Sequence, residues 1–486
     1  MLLQLAETSL SHVPMDAMGF AMRSRRWLLA MAGLLVPLAA GCQAPRTQVD
    51  PDHAREVDAM VSSSTTSRIN ALALLAADPR VVPEPPAGTL TRQDAINHTL
   101  THNLALIASA ENLPIAQAQL AQAGLWTNPS LGQTGSFAWP VFGGSGAASF
   151  DFQLTQVVNT FLTRPYKVAV AEAQRFQSGI DLASQAFDLS QQAEAKYDEM
   201  AHLVRDRKLS EKVAASYKRA FEAAEARAKV GMVPTPDVNR ARLQYEDAQR
   251  QVRHLQTQYS RAAREMNWLM GVSSPPLWQL PEEAAEAPRD LALAPDAAML
   301  EQMGRGHRLD LRRADFDRRV SEANLKLAKL GMIPQLTLGT DVARDNSKNW
   351  SFGPSFNVEL PIFDTGKVGV ELANAQLRLA DKTYVALEGQ VRQDVRAAVE
   401  NLLIADEDVR FYRDKLIPQE EENVQLAQKS FQLGNSDLDS LLNTLREYVS
   451  ALQSYEDAID TYNGNRIALQ RAVGMVWARI IEASNA

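Results

Sequence analysis

A single cysteine in 486 residues, Cys42, excludes an internal disulfide and any zinc or redox site built on two thiols. Beyond that cysteine no run reaches the roughly 18 consecutive apolar residues of a membrane-spanning helix. A β-barrel is untouched by this absence, because its strands are short and only alternately apolar. Positive charge is also scarce: 50 Lys and Arg against 58 Asp and Glu leave a net −8, which argues against a nucleic-acid surface. Histidine is rare, at 7 residues, and the pair His98 and His102, four apart on one helix face, has no third ligand beside it. There is no nucleophile elbow, metal triad or phosphate loop, and the acidic and histidine residues are spread along helical surfaces. No catalytic residue, metal or cofactor is therefore assigned.

What is present begins with the stretch RSRRWLLAMAGLLVPLAAGC, Arg23 to Cys42. Three arginines, an apolar run and small residues have the layout of a secretory signal, too short to span as a stable helix. The run Ala39-Ala40-Gly41-Cys42 resembles a bacterial lipobox, although Ala39 stands where leucine is usual. That resemblance implies cleavage before Cys42, a covalent lipid on its thiol, and, from Gln43, sorting to the outer membrane. A plain cleavable signal with a chance cysteine is the alternative. Ser24-Arg25-Arg26 also resembles part of a twin-arginine signal, and the acidic Glu7 and Asp16 ahead of the leader point to Met22 as the true start. Residues 1–41 are thus the signal and 42–90 a lipid-anchored tether. Its Pro, Ser, Thr and Asp make it mostly extended, with one helix near Ser67–Ala77.

From Thr91-Arg92-Gln93-Asp94, a capping-box-like helix start, the chain repeats itself. Gly231–Gly271 and Gly434–Gly474 superpose without a gap at a constant offset of 203 residues. In the first, Val238, Ala241, Tyr245, Ala248, Val252 and Leu255 begin a three-four apolar spacing that continues to Leu269, a coiled-coil seam. The second keeps it, with Tyr448 for Tyr245, Ala451 for Ala248 and Tyr462 for Tyr259. Upstream the offset is 202, where Phe161 meets Phe363 and VAEAQ (Val170–Gln174) meets LANAQ (Leu372–Gln376). One architecture built twice follows. The copies are placed at 91–285 and 286–475, with a tail at 476–486.

Each copy interrupts its helical period once. Phe150, Phe152 and Leu154 alternate with polar residues, as do Phe352, Pro354, Phe356, Val358 and Leu360. Each run follows a second candidate strand, Ser130–Trp139 or Gln335–Arg344, across a polar or Gly-rich loop. One β-hairpin per copy is expected, lying between long helices. Tyr166–Lys229 alone would extend about 95 Å at 1.5 Å per residue. Thr91–Gly124 and the helix after Gly231 are about half as long and could stack beside it. Gly366–Leu433 repeats the long helix, with a kink expected at Pro418.

Four strands cannot close a barrel, and an open edge in hydrocarbon leaves backbone groups unpaired, so such a chain must oligomerise. At this point the sequence resembles the outer-membrane efflux protein family, the TolC-like channels, over about residues 90–475. The resemblance is carried by LPIFDTGK (Leu360–Lys367), VGMVPTPDVNRARLQYEDAQ (Val230–Gln249), LGNSDLDSLLNTLREY (Leu433–Tyr448), TRQDAINHTLTHN and GHRLDLRRA. It implies a mainly α fold with a small β part, forming a homotrimer with a twelve-stranded outer-membrane β-barrel on a periplasmic α-helical barrel. It also implies a periplasmic adaptor and an inner-membrane pump as partners, outer-membrane lipid as surroundings, and a conduit that catalyses no reaction.

The resemblance places a gate at the periplasmic helical turns, Gly231 and Gly434. Its acidic ring falls to Asp437 and Asp439, because Ser440 and Asn443 stand where the best-known pattern has its two aspartates. Three copies of a carboxylate crowded on an axis would repel anions and attract cations. The competing reading is that these aspartates cap the following helix, and capping is expected of Asp237 in the first tip. Phe137, Trp139, Phe142 and Trp350 sit at the hairpin ends, where they could anchor a barrel at the lipid interface or simply pack its strands. Two rivals remain on sequence alone: a periplasmic adaptor lipoprotein, which would carry one helical hairpin between β-rich halves, and a lipid-anchored envelope enzyme.

Overall fold

The computed structural model describes residues 49–65, 67, 69–77, 83, 86–137, 148–281, 296–344 and 349–484. Cys42, Trp139 and Phe142 lie outside them. The first copy comprises α3 (Arg92–His102), α4 (Leu104–Ala110), α5 (Asn112–Ala123), β2 (Ser130–Phe137), β3 (Ala148–Val157), α6 (Thr160–Lys229) and α7 (Thr235–Leu269). The second comprises α8 (Ala297–His307), α9 (Leu309–Leu330), β5 (Leu336–Arg344), β6 (Trp350–Val358), α10 (Lys367–Phe411), α11 (Ile417–Leu433) and α12 (Leu438–Val473). The order of opening helices, hairpin, long helix and tip helix repeats, although the first copy divides its opening stretch into three helices and the second into two, and the second interrupts its long helix.

Helix α6 has 70 residues and is the spine, lined by a core at Ile180, Ala183, Ala186, Ala193, Tyr197 and Ala201. In α7 and α12 no residue of the expected seam is exposed. The expected helix Thr91–Gly124 is instead three. Asn103 leaves the helical region (φ −65°, ψ 121°), and its Oδ1 accepts from the amides of Ala105 and Leu106 at 3.0 and 3.1 Å. An asparagine that can cap the next helix makes a break of one residue cheap. Arg308 makes the corresponding break between α8 and α9. Before Pro418 the backbone widens into one π-helical turn, Tyr412–Leu416, which accommodates the proline ring and the missing N–H.

The tether expectation is corrected. Pro51–Ser64 forms helix α1, started by the Asp50 side chain accepting from the Asp52 amide at 3.0 Å, and Ala71–Ala76 forms α2 within the expected stretch. Helix α1 lays Ala54, Val57 and Val61 into the core against α6. A Cβ on Gly179 would lie 2.8 Å from Val57 Cγ2 and 3.1 Å from His53 Cε1, so a glycine is what lets the two helices approach. After α7 the chain returns through β4 (Trp278–Gln279), which pairs in parallel with β1 (Gly88–Thr89). The C-terminal stretch is helix α13 (Trp477–Ser484), led in by the Val476 amide bonding Ser64 O at 3.1 Å.

His53 gives this docking a pH dependence. Burial, aided by the Arg175 charge and partly opposed by Asp50, lowers its pKa from 6.5 to about 4. Between those values the unfolded chain binds the extra proton, so stability is full above pH 6.5 and is lost as pH falls toward 4. Up to about 3 kcal/mol is at stake. Thermal melts of wild type and His53→Leu should diverge progressively through that window, with the wild type falling more steeply. Parallel profiles would disprove the coupling.

Candidate functional site

The two hairpins join in one antiparallel sheet of order β2-β3-β5-β6. The register aligns Leu131 with Leu154, Phe152 with Val342, Val342 with Phe352 and Leu338 with Phe356. One face thus carries Leu131, Phe152, Leu154, Leu338, Trp350, Phe352 and Phe356, all exposed. The other presents Thr134, Gln153, Thr155, Asp341, Ser355 and Asn357, because alternate residues point to opposite sides. Edge strands β2 and β6 have no partner among the described residues, and Pro354 lies on such an edge, where its missing N–H is tolerated. The sheet is fastened to the helices by Asn159, whose Oδ1 accepts from the Leu336 amide at 2.8 Å while Nδ2 donates to Pro334 O at 2.9 Å.

At the far end the helical tips are built alike. Gly231 (φ 76°) and Gly434 (φ 82°) adopt the left-handed conformation that ends a helix without Cβ strain. Their amides bond Ala228 O and Phe431 O at 3.0 Å, and the next amides, Met232 and Asn435, reach back to Arg227 O and Ser430 O at 2.9 Å. Asp437 is the N-cap of α12, its Oδ1 accepting from the Ser440 amide at 2.8 Å. Asp439 pairs with Arg240 of the first tip, and Asp237 lies 3.7 Å from the same guanidinium. Asp237 does not cap: Pro234 is the N-cap residue of α7, with no side-chain cap bond. Arg227 Nη1 donates to Phe431 O at 2.8 Å and lies over that ring at 4.6 Å. Tyr217, Ala224, Val238, Ala241, Phe431, Leu438 and Leu441 form one core under both turns, so the two tips pack as a unit.

Between sheet and tips, α6 and α12 share a buried polar chain. Arg466 Nη2 donates to Glu194 Oε1 and Asp198 Oδ2, both at 2.9 Å, and Arg92 pairs with Asp198 from outside. Gln470 Nε2 reaches Glu194 Oε2 at 3.2 Å and its Oε1 accepts from Gln191 at 2.9 Å. Further along, Arg205 Nε donates to Glu456 Oε2 at 2.9 Å, beside His202 and Asp206. Burial depresses the His202 pKa, but contact with Glu456 and the charges of Asp206, Glu456 and Asp460 outweigh it, so the net shift is upward.

The two-faced sheet, the long helical shaft and the paired tips fall within a stretch that matches a known family. The outer membrane efflux protein profile matches residues 95–272 and 301–475. The chain belongs to that family. Among curated relatives, nodulation protein T of Rhizobium leguminosarum bv. trifolii is 23% identical over 322 residues, covering 63% of this chain and 64% of that protein. The cobalt-zinc-cadmium resistance protein CzcC of Cupriavidus metallidurans is 22% identical, covering 77% and 88%. The solved structure of CusC, described in terms of transmembrane channel formation, matches with a TM-score of 0.67 at 15% identity, covering 82% of this chain and 97% of that one. The mainly α fold with a small β part, built as two tandem repeats, is that of these outer-membrane efflux proteins.

Within this family member, the residues singled out from sequence separate into two groups. Gly231, Gly434, Asp437 and Asp439 converge at the packed tips. His98 and His102 stack on each other, ring centroids 5.3 Å apart, on α3 away from the tips. Sequence reading missed Arg240, the cation that ties Asp439 to the first tip, and the His202, Asp206 and Glu456 group. His202 and Asp206 were legible as a helical i, i+4 pair, whereas nothing local connects them to Glu456.

Proposed function

We propose that three copies of this chain close a twelve-stranded barrel in the outer membrane, continued by a helical cylinder in the periplasm. In this reading the assembly is the exit channel of a tripartite efflux or secretion system. Cargo enters from an inner-membrane pump through a periplasmic adaptor, and the pump supplies the energy. The observation that carries the proposal is the four-stranded sheet, apolar on one exposed face, polar on the other and open at both edges among the described residues. Such a sheet is stable in lipid only when its edges are closed by further strands, and four are half the smallest bacterial barrel. The adaptor and enzyme readings account for none of these features. Cys42, lipidated, would add a second hold on the membrane, so Cys42→Ala behind an ordinary cleavable signal should keep most transport. The name of one relative, the cobalt-zinc-cadmium resistance protein CzcC, points to metal ions as one class of cargo.

Chemical cross-linking of outer membranes should yield trimers with heat-modifiable migration on gels. A monomer released without detergent would overturn the proposal.

The tips are the proposed gate, with Asp437 and Asp439 as its acidic ring and the Arg240 link holding the two turns together. Asp437→Ser with Asp439→Asn removes both charges while serine keeps the helix cap. In planar bilayers that variant should lose cation preference, and Arg240→Ala, which keeps the carboxylates, should raise the closed-state conductance. Unchanged selectivity in the first and unchanged conductance in the second would refute the gate.

A further inference from the structure

We propose that the shaft carries a divalent transition-metal site, in which His202, Asp206 and Glu456 bind a Zn²⁺-like cation between the two repeats. His202 and Asp206 stand one turn apart on the same face of α6, and Glu456 faces them from α12. One ligand atom from each lies within 4.8 Å of those of the other two. His202 Nε2 is 3.7 Å from Asp206 Oδ2, and His202 Nδ1 is 3.5 Å from Glu456 Oε2. Bonds of about 2.0–2.2 Å in tetrahedral geometry separate ligand atoms by roughly 3.3–3.6 Å. Those two distances use different ring nitrogens and a cation takes only one, so a rotamer change within the 4.8 Å cluster has to bring a single nitrogen and both carboxylates to that spacing.

Both separations are longer than ordinary hydrogen bonds and are ion-pair contacts when the imidazole is protonated, a proton that a bound cation would displace. Nδ1 of His202 is buried, and the Glu456 carboxylate faces it at 3.5 Å, beyond the usual hydrogen-bond length. The donor set, one imidazole and two carboxylates, selects a borderline cation such as Zn²⁺ or Co²⁺ over Ca²⁺ or Mg²⁺, which take oxygen. Charge points the same way. Asp206, Glu456 and Asp460 act on His202, Asp457 adds negative charge at Asp206, and Arg205 is a cation set against them. Arg205 also orients Glu456 through its 2.9 Å bond, the outer-shell support that metal-ligating carboxylates usually have. The His202 and Asp206 side chains are 18% and 24% exposed, which gives an ion a way in and leaves a position for water. Bound there, a cation would pin α6 to the middle of α12, the helix whose N-terminal end carries Asp437 and Asp439.

The site is tested on the full-length protein in detergent, purified without an oligohistidine tag and titrated with Co²⁺ followed by Zn²⁺ competition. The expected result is about one Co²⁺ per chain, with visible d–d absorption of a low-coordinate site that Zn²⁺ abolishes. His202→Gln and Asp206→Asn should each weaken binding by more than about tenfold, since loss of an outer-shell partner alone costs that much. Their helical circular dichroism should match wild type. His98→Ala, which removes the other histidine pair, should bind as wild type does. No stoichiometric binding, or binding lost with His98→Ala and retained in the other two, would overturn the proposal.

Discussion

Arg466→Ala should lower the stability of the folded chain by about 3–5 kcal/mol, the cost of breaking a buried ion pair from one side. The Arg466 side chain is 10% exposed and its two acceptors, Glu194 and Asp198, are 9% and 4% exposed. Without the guanidinium, two carboxylates remain in a low-dielectric seam with one amide and one peripheral arginine to share. Ionised there with their main partner gone, each is far from the water that would solvate it. Because the partners sit on α6 and the cation on α12, the loss falls on the interface between the repeats. Arg466→Lys should recover part of the loss, since a compact ammonium cannot serve both carboxylates as a planar fork does. Arg466→Met combined with Glu194→Leu and Asp198→Leu should recover most of it, because the three most buried charges go together and only the more exposed Arg92 loses its partner. Denaturant unfolding in detergent, followed by circular dichroism, measures the series. A loss under about 1 kcal/mol for Arg466→Ala would mean that water reaches the carboxylates.

That network also marks where sequence reading ran out. The seam of α7 and α12 was legible because a three-four apolar period is a local signal that burial enforces on every turn. The hairpins were legible from period-two alternation, and the tips from glycines placed where helices must end left-handed. Helix α1 left a fainter trace, an Asp50-Pro51 start followed by Ala54, Val57 and Val61, which a Pro- and Ser-rich surrounding obscured. Asn103 reads locally as an ordinary helical residue, and it breaks the helix because Leu269 O accepts its Nδ2 at 2.9 Å from 166 residues away. Glu194 and Arg466 are 272 residues apart. No spacing rule reaches that far, so polar partners across the repeats, Arg240 with Asp439 and His202 with Glu456 among them, emerge only once the fold brings the helices together.

The second large effect concerns the sheet. Phe352→Arg with Phe356→Arg should abolish assembly in the outer membrane. Both phenylalanines project from the apolar face of β6, 76% and 78% exposed, and each lies two residues from the strand centre at Pro354. Centred in a barrel wall, each position meets hydrocarbon near the bilayer midplane, where arginine costs about 2–4 kcal/mol. Two substitutions in each of three chains multiply that cost sixfold across a trimer, more than the margin by which proteins are usually folded. Asn357→Arg is the matched control. It adds the same side chain one residue from Phe356, on the opposite face, where a water-filled lumen would solvate it. The double variant should therefore fail to give heat-modifiable trimers in outer-membrane fractions, while Asn357→Arg assembles and changes only conductance. If both assembled equally, the exposed phenylalanines would face something other than lipid, and the closed-barrel reading would fail with them.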